Sequence, residues 1–304
     1  MLNSDTARSV IDHALYMGAD FAELFSEKCQ ANTIATLSDQ VQSVQSGIDF
    51  GIGLRIAYGP KVLYGFTNDT GREELKRIAT DLAAKDRRDP QTTARSFDYC
   101  RATEHHPASR IISKDAEVAD KVTYLLAADR AARSTKDLIS HTKCYCLQRE
   151  QAIEVFNSEG LHIEATRHYT RAGLTAIAAG DGEQATGTCN DGGLKGWELV
   201  DEIDAETTGN EAARQAMINL KAQSCPSGRM PVVIGPGFGG VIFHEACGHL
   251  LETTSVAKKA SVFHDKMDEM IAHPTLSAVD DGTLANEWGS INIDDEGMTT
   301  QRTQ

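Results

Sequence analysis

The chain has 304 residues, 40% hydrophobic and 24% charged, with 30 basic against 44 acidic side chains and a formal net charge of −14. That length can bury substantial cores in about two or three domains, and the acidic balance disfavours nucleic acid or an anionic membrane surface as a partner. No apolar run approaches the roughly 18 residues of a membrane-spanning helix, and the N-terminal stretch, with Asp5 and Asp12 and no apolar centre, does not read as a secretory signal. Seven cysteines, at 29, 100, 144, 146, 189, 225 and 247, are odd in number and scattered, which points away from a disulfide framework and towards a reducing cytoplasm.

Ser4 or Asp5 can cap a first helix, whose apolar positions Val10, Ile11, Ala14 and Leu15 recur at helical spacing before Gly18. Strands are expected over residues 21–29, 33–37, 41–44, 51–58 and 62–66, the last two joined by the turn Tyr58-Gly59-Pro60-Lys61. Thr70-Gly71-Arg72-Glu73 reads as a capping box for a helix with Leu75, Ile78, Ala79 and Leu82 on one face. These elements form an N-terminal α+β domain over residues 1–105. Residues 85–112, with Pro90, Pro107 and the pair His105-His106, show no period and are expected as a surface loop with both histidines solvated.

A second helix is expected over residues 115–133, with Asp129 marking the end of its apolar stripe. Strands at 138–147, 152–156, 162–168 and 172–179 follow, with a turn at Asn157-Ser158-Glu159-Gly160. Cys144 and Cys146 alternate within the first of these strands and read as structural. Residues 180–196 are expected as a glycine-rich loop and 206–222 as a helix, which completes a middle domain over 106–224. The predicted class is α+β, with antiparallel sheets in the first two domains and the start of a third over residues 225–304.

The third region holds the clustered metal-ligand chemistry of the chain. Residues 235–252 read GPGFGGVIFHEACGHLLE, preceded by the strand-like Val232-Val233-Ile234. Two histidines flanking a glutamate suit a zinc hydrolase, in which imidazoles hold the metal and the carboxylate takes a proton from water. His244 and His249 are five apart, however, and a regular α-helix would splay them by roughly 140°. An inserted π-type turn near Ala246 to Gly248 would return them to one face, and that widening is expected here. Cys247 is a weaker ligand candidate, as are His264 and His273. Gly235, Gly237 and Gly240 satisfy a dinucleotide-binding pattern, but Pro236 and the lack of a following strand ending in an acid argue against it. The acidic groups Asp280-Asp281 and Asp294-Asp295-Glu296 suit a cation, an imidazole or, more simply, turns.

The H-E-x-x-x-H motif at 244–249 resembles that of the TldD branch of the TldD/PmbA metallopeptidase family. Pro226-Ser227-Gly228, Asp280-Asp281-Gly282-Thr283, Gly289-Ser290, Asp294-Asp295-Glu296-Gly297 and the Asn157 turn are also similar to family elements. The resemblance implies a cytoplasmic zinc peptidase acting on peptides or unfolded segments, with His244 and His249 as zinc ligands and Glu245 as catalytic base. It also implies a homologous partner subunit, in a heterodimer or homodimer, and residues 225–304 as a partial metallopeptidase domain. Family members supply a cysteine ligand from beyond the position of Gln304, so the chain is expected to be C-terminally truncated and weak or inactive alone. The alternative is a non-catalytic assembly subunit, which has no reason to keep His244, Glu245 and His249 together.

Overall fold

The computed structural model describes residues 2–86, 88–89, 94–104, 106–113, 115–134 and 138–304, with the Phe238 side chain also left aside. Two compact units result: one runs to Ala222 and adds Asp281–Arg302, and the other comprises Gln223–Asp280 with Thr303–Gln304.

The larger unit is built from two similar passages of helix, strands and helix. The first contains α1 (Ser4–Tyr16), β1 (Phe21–Leu37), β2 (Gln40–Tyr58), β3 (Lys61–Thr67) and α2 (Arg72–Ala83). After β4 (Asp98–Arg101), the second contains α3 (Val118–Ser134), β5 (Ile139–Asn157), β6 (Leu161–Gly180), β7 (Glu183–Gly193) and α4 (Ala205–Leu220). The strands form one sheet in the order β3-β2-β1-β5-β6-β4, with β7 also on β6. The two passages join where β1 runs antiparallel to β5, from Glu23 opposite Asn157 to Leu37 opposite Lys143. The predicted α+β class is the one observed.

All four helices cover one face of this sheet. Alternate residues of the strands, Ala22 and Leu24 on β1 with Ile52, Leu54 and Ile56 on β2, pack under Val10, Ile11, Leu15, Leu75 and Ala79. Ile34, Cys144, Cys146, Leu174 and Ala176 continue that face beneath Leu125, Ala128, Ala212 and Ala216. The cysteines are structural, as expected: burial pushes the Cys144 thiol up to about 11 and that of Cys146 to about 12. On the opposite face, residues 281–302 return to the sheet. Ile293 is fully buried with Ile153, Val155 and Ile163, and the Arg167 guanidinium donates to its carbonyl at 2.5 Å. The acidic residues of this segment form turns and ion pairs. Asp294 accepts from the backbone of Glu296 and Met298, and Glu296 pairs with Arg55 at 2.6 Å.

Several local expectations are corrected. Asn3, not Ser4 or Asp5, caps α1, accepting from the Asp5 and Thr6 amides at 2.9 and 3.3 Å. Gly71 takes the cap position of α2 without a side-chain bond, so no capping box forms. The short strands expected over 21–37 and 139–157 are each continuous. Polar stretches such as Gln30-Ala31-Asn32 carry no apolar alternation, yet β2 and β5 hydrogen-bond β1 on both sides there. Asp129 does not end the apolar stripe; it is fully buried beneath Arg133 and Thr142. Within the expected loop 85–112, residues 98–101 pair in parallel with Leu161–Glu164. His106 is buried, not solvated, while His105 lies outside the described residues.

The glycine-rich segment expected as a loop instead holds β7, and one of its glycines has a steric reason. Gly187 lies directly under α4, where a Cβ would collide with the Ala216 nitrogen and the Ala212 carbonyl, both backbone atoms that cannot swing aside. Gly47 on β2 has open space instead. Gly187→Ala should therefore cost about 2–3 kcal/mol in chemical denaturation, against at most about 0.5 kcal/mol for Gly47→Ala.

Candidate metal centre

The smaller unit begins with a departure from expectation. Val232, Val233 and Ile234 are not a strand; no described strand pairs with them, and they are 74%, 97% and 58% exposed. The glycine turn therefore lacks the preceding strand that a dinucleotide fingerprint requires. Ser261 is the one buried residue among the described residues 223–280. The unit consequently draws its order from hydrogen bonds along the chain rather than from an apolar core.

The expected widening is present. The helix α5 (Phe238–Phe243) runs into a π turn over His244–Gly248, followed by α6 (His249–Leu251) and α7 (Thr253–Ala257). The His249 amide reaches back five residues to the carbonyl of His244, so the same two residues that carry the imidazoles close the wide turn. Their rings lie 4.4 Å apart between centroids, inclined by 64°. One donor atom from each of His244, Glu245 and His249 falls within 4.8 Å of the others. A regular helix would have separated the imidazoles by roughly 140°; the inserted residue brings them together.

Around this group the charge is negative. The Glu245 carboxylate lies 3.9 Å from His249 Nε2, and Glu252 lies 2.7 Å from His249 Nδ1. That hydrogen bond, with the charge of Glu252 and then Glu245, raises the pKa of His249 above the ordinary imidazole value. All three side chains are half or more exposed. Glu252 escaped the sequence reading, although its place three residues beyond His249, near the end of a helix, was the available signal. Cys247, His264 and His273 stand outside the donor group among the described residues. His264 and His273 are held locally, by the Ser261 carbonyl and the Thr275 hydroxyl. A second cluster, Glu154, His162 and Glu164, lies on the large sheet. Its inner carboxylate is already bonded to His162 Nε2 and the Leu2 amide.

Two imidazoles and an adjacent carboxylate, converging and accessible, are a donor set that suits zinc. They also suit hydrolytic chemistry, in which the carboxylate serves as a base. Among the described residues no helix is long and apolar enough to cross a membrane.

The comparisons with known proteins agree with the motif. Models described as PmbA/TldA metallopeptidase domain 1, central domain and C-terminal domain match residues 22–85, 112–220 and 227–304. A protein named metalloprotease TldD homolog from Haemophilus influenzae is 27% identical over 307 residues, covering 99% of this chain and 64% of its own length. A zinc metalloprotease TldD homolog from Saccharolobus solfataricus is 22% identical, covering 95% and 62%. The chain thus spans just under two thirds of the length of these relatives. The crystal structure of TldE from Thermococcus kodakarensis superposes with a TM-score of 0.70 at 14% identity, covering 98% of this chain and 66% of that one, and so shares the fold. With three successive domain models of one family matched along its length, the chain belongs to the TldD/PmbA metallopeptidase family.

Proposed function

We propose that the chain carries the catalytic part of a zinc-dependent peptidase of the TldD branch, acting on peptides or unfolded segments. The observation that supports this most is the π turn, which brings the donors of His244, Glu245 and His249 within 4.8 Å of one another. A third protein ligand would come from outside that group, and the activity belongs to the whole protein, of which this chain matches about two thirds in its relatives. When bound, zinc supplies Lewis-acid polarisation of the scissile carbonyl and acidifies an attacking water. His244 and His249 hold it through neutral ring nitrogens. Glu245 accepts the proton of the water and delivers it to the leaving amine. A homologous subunit as partner is supported by the likeness to a protein named TldE. The cysteine usage supports a cytoplasmic setting.

Zinc content measured on a form extended to the length of its relatives should approach one per chain, fall to background in His244→Ala and His249→Ala, and persist in Glu245→Gln. In a peptidase-active form, Glu245→Gln should lose about 10²–10⁴-fold in cleavage of an unstructured peptide. Unaltered cleavage, or zinc content indifferent to both histidine substitutions, would overturn the assignment.

The raised pKa of His249 has a definite sign. Its pairing with Glu252 and Glu245 favours the folded state at low pH and fades as pH rises through the raised value. Zinc demands the opposite, a neutral ring. The metal-free protein, followed by NMR, should therefore titrate His249 above 6.5. Glu252→Gln should bring that midpoint down.

A further inference from the structure

We infer that Glu252 is a positioning residue for the metal centre: its carboxylate takes the Nδ1–H of His249 and thereby leaves the Nε2 lone pair of that ring for the metal. The inference rests on the metal reading above.

The ring of His249 has two carboxylates to choose between. Glu252 lies 2.7 Å from Nδ1, a full hydrogen bond, while Glu245 lies 3.9 Å from Nε2, beyond one. A carboxylate only accepts, so the proton of the neutral ring resides on Nδ1 and the lone pair on Nε2. Nε2 is also the nitrogen that faces Glu245, the proposed base, so the tautomer aims the free lone pair into the donor group. Without Glu252 the remaining carboxylate attracts the proton to Nε2, where it blocks the coordinating position. Outer partners of this kind fix the tautomer and orientation of metal-binding histidines.

The backbone holds Glu252 ready for this task. Its ψ of 136° breaks the helix directly after Leu251, which directs the chain away while the side chain folds back to His249. Its carbonyl then accepts from the Ser255 and Val256 amides, both at 3.0 Å, and so starts α7. The preceding turn is fastened as well: the Ser261 hydroxyl, the buried group of this unit, donates to the Leu250 carbonyl at 2.6 Å. The backbone that carries this exposed carboxylate is thereby fixed on both sides.

The test measures zinc itself, by competition with a chromophoric chelator at a pH well above the imidazole range, so that protonation does not enter. Glu252→Ala should weaken zinc binding about 10–100-fold, and Glu252→Gln, whose amide oxygen still accepts from Nδ1–H, should recover much of it. Long-range ¹⁵N–¹H NMR of the metal-free chain should show His249 as the Nδ1–H tautomer in the wild type and Glu252→Gln, and as Nε2–H in Glu252→Ala. Wild-type zinc affinity in Glu252→Ala, or an unchanged tautomer, overturns the positioning role while leaving the metal reading intact. Zinc binding that ignores His244→Ala and His249→Ala overturns the metal reading and the positioning role with it.

Discussion

The large unit depends on the pairing of β1 with β5. Each helix–strand–helix passage alone would leave β1 or β5 as a bare sheet edge some fifteen residues long, an open template for other chains. Their antiparallel ladder removes both edges at once and aligns Leu24 with Phe156 and Ile34 with Cys146. One face of the sheet then carries two apolar clusters, the first beneath α1 and α2 and the second beneath α3 and α4. A register shift of a single residue would turn that face to solvent, so the seam also decides which side of the sheet receives Ile293 and the returning segment.

The small unit obeys a different rule. Its apolar side chains, Val232, Val233, Ile242 and Met267 among them, are largely exposed, and what is ordered in it follows from hydrogen bonds. The convergence of His244, Glu245 and His249 is therefore a property of backbone pattern, one extra residue in a helical turn, rather than of a packed pocket. Exposed donors are cheap to hold in water but weak in discrimination, because solvent competes for each of them.

Much of this was legible in the sequence. The helices with clean apolar stripes, such as Val10-Ile11-Ala14-Leu15, appear where periodicity put them, and the awkward spacing of His244 and His249 implied the distortion that brings them together. What escaped had no pattern to read. The polar middle of β1 is held by ladder bonds on both flanks, which composition does not encode. Gly187 of β7 resembles a loop residue until α4 is seen resting on it. Val232-Val233-Ile234 shows the converse, since strand-like residues form no strand without a neighbour to bond. Glu252 and Asn3 act through side-chain bonds whose direction depends on dihedral angles at a helix end.

The wide turn at 244–248 makes chain length, more than side-chain identity, the quantity that guards the donor pair. Ala246 and Cys247 can vary in character without altering the angle between the imidazoles, since the bond closing the turn joins main-chain atoms of His244 and His249. Losing one of the four intervening residues, Glu245 to Gly248, would give the four-residue interval at which an ordinary helix already aligns two histidines. Gaining one would instead ask the backbone for a still wider loop than i→i+5. The motif is thus asymmetric towards insertions and deletions: contraction leads to a familiar helix, and expansion leads nowhere that a helix can follow.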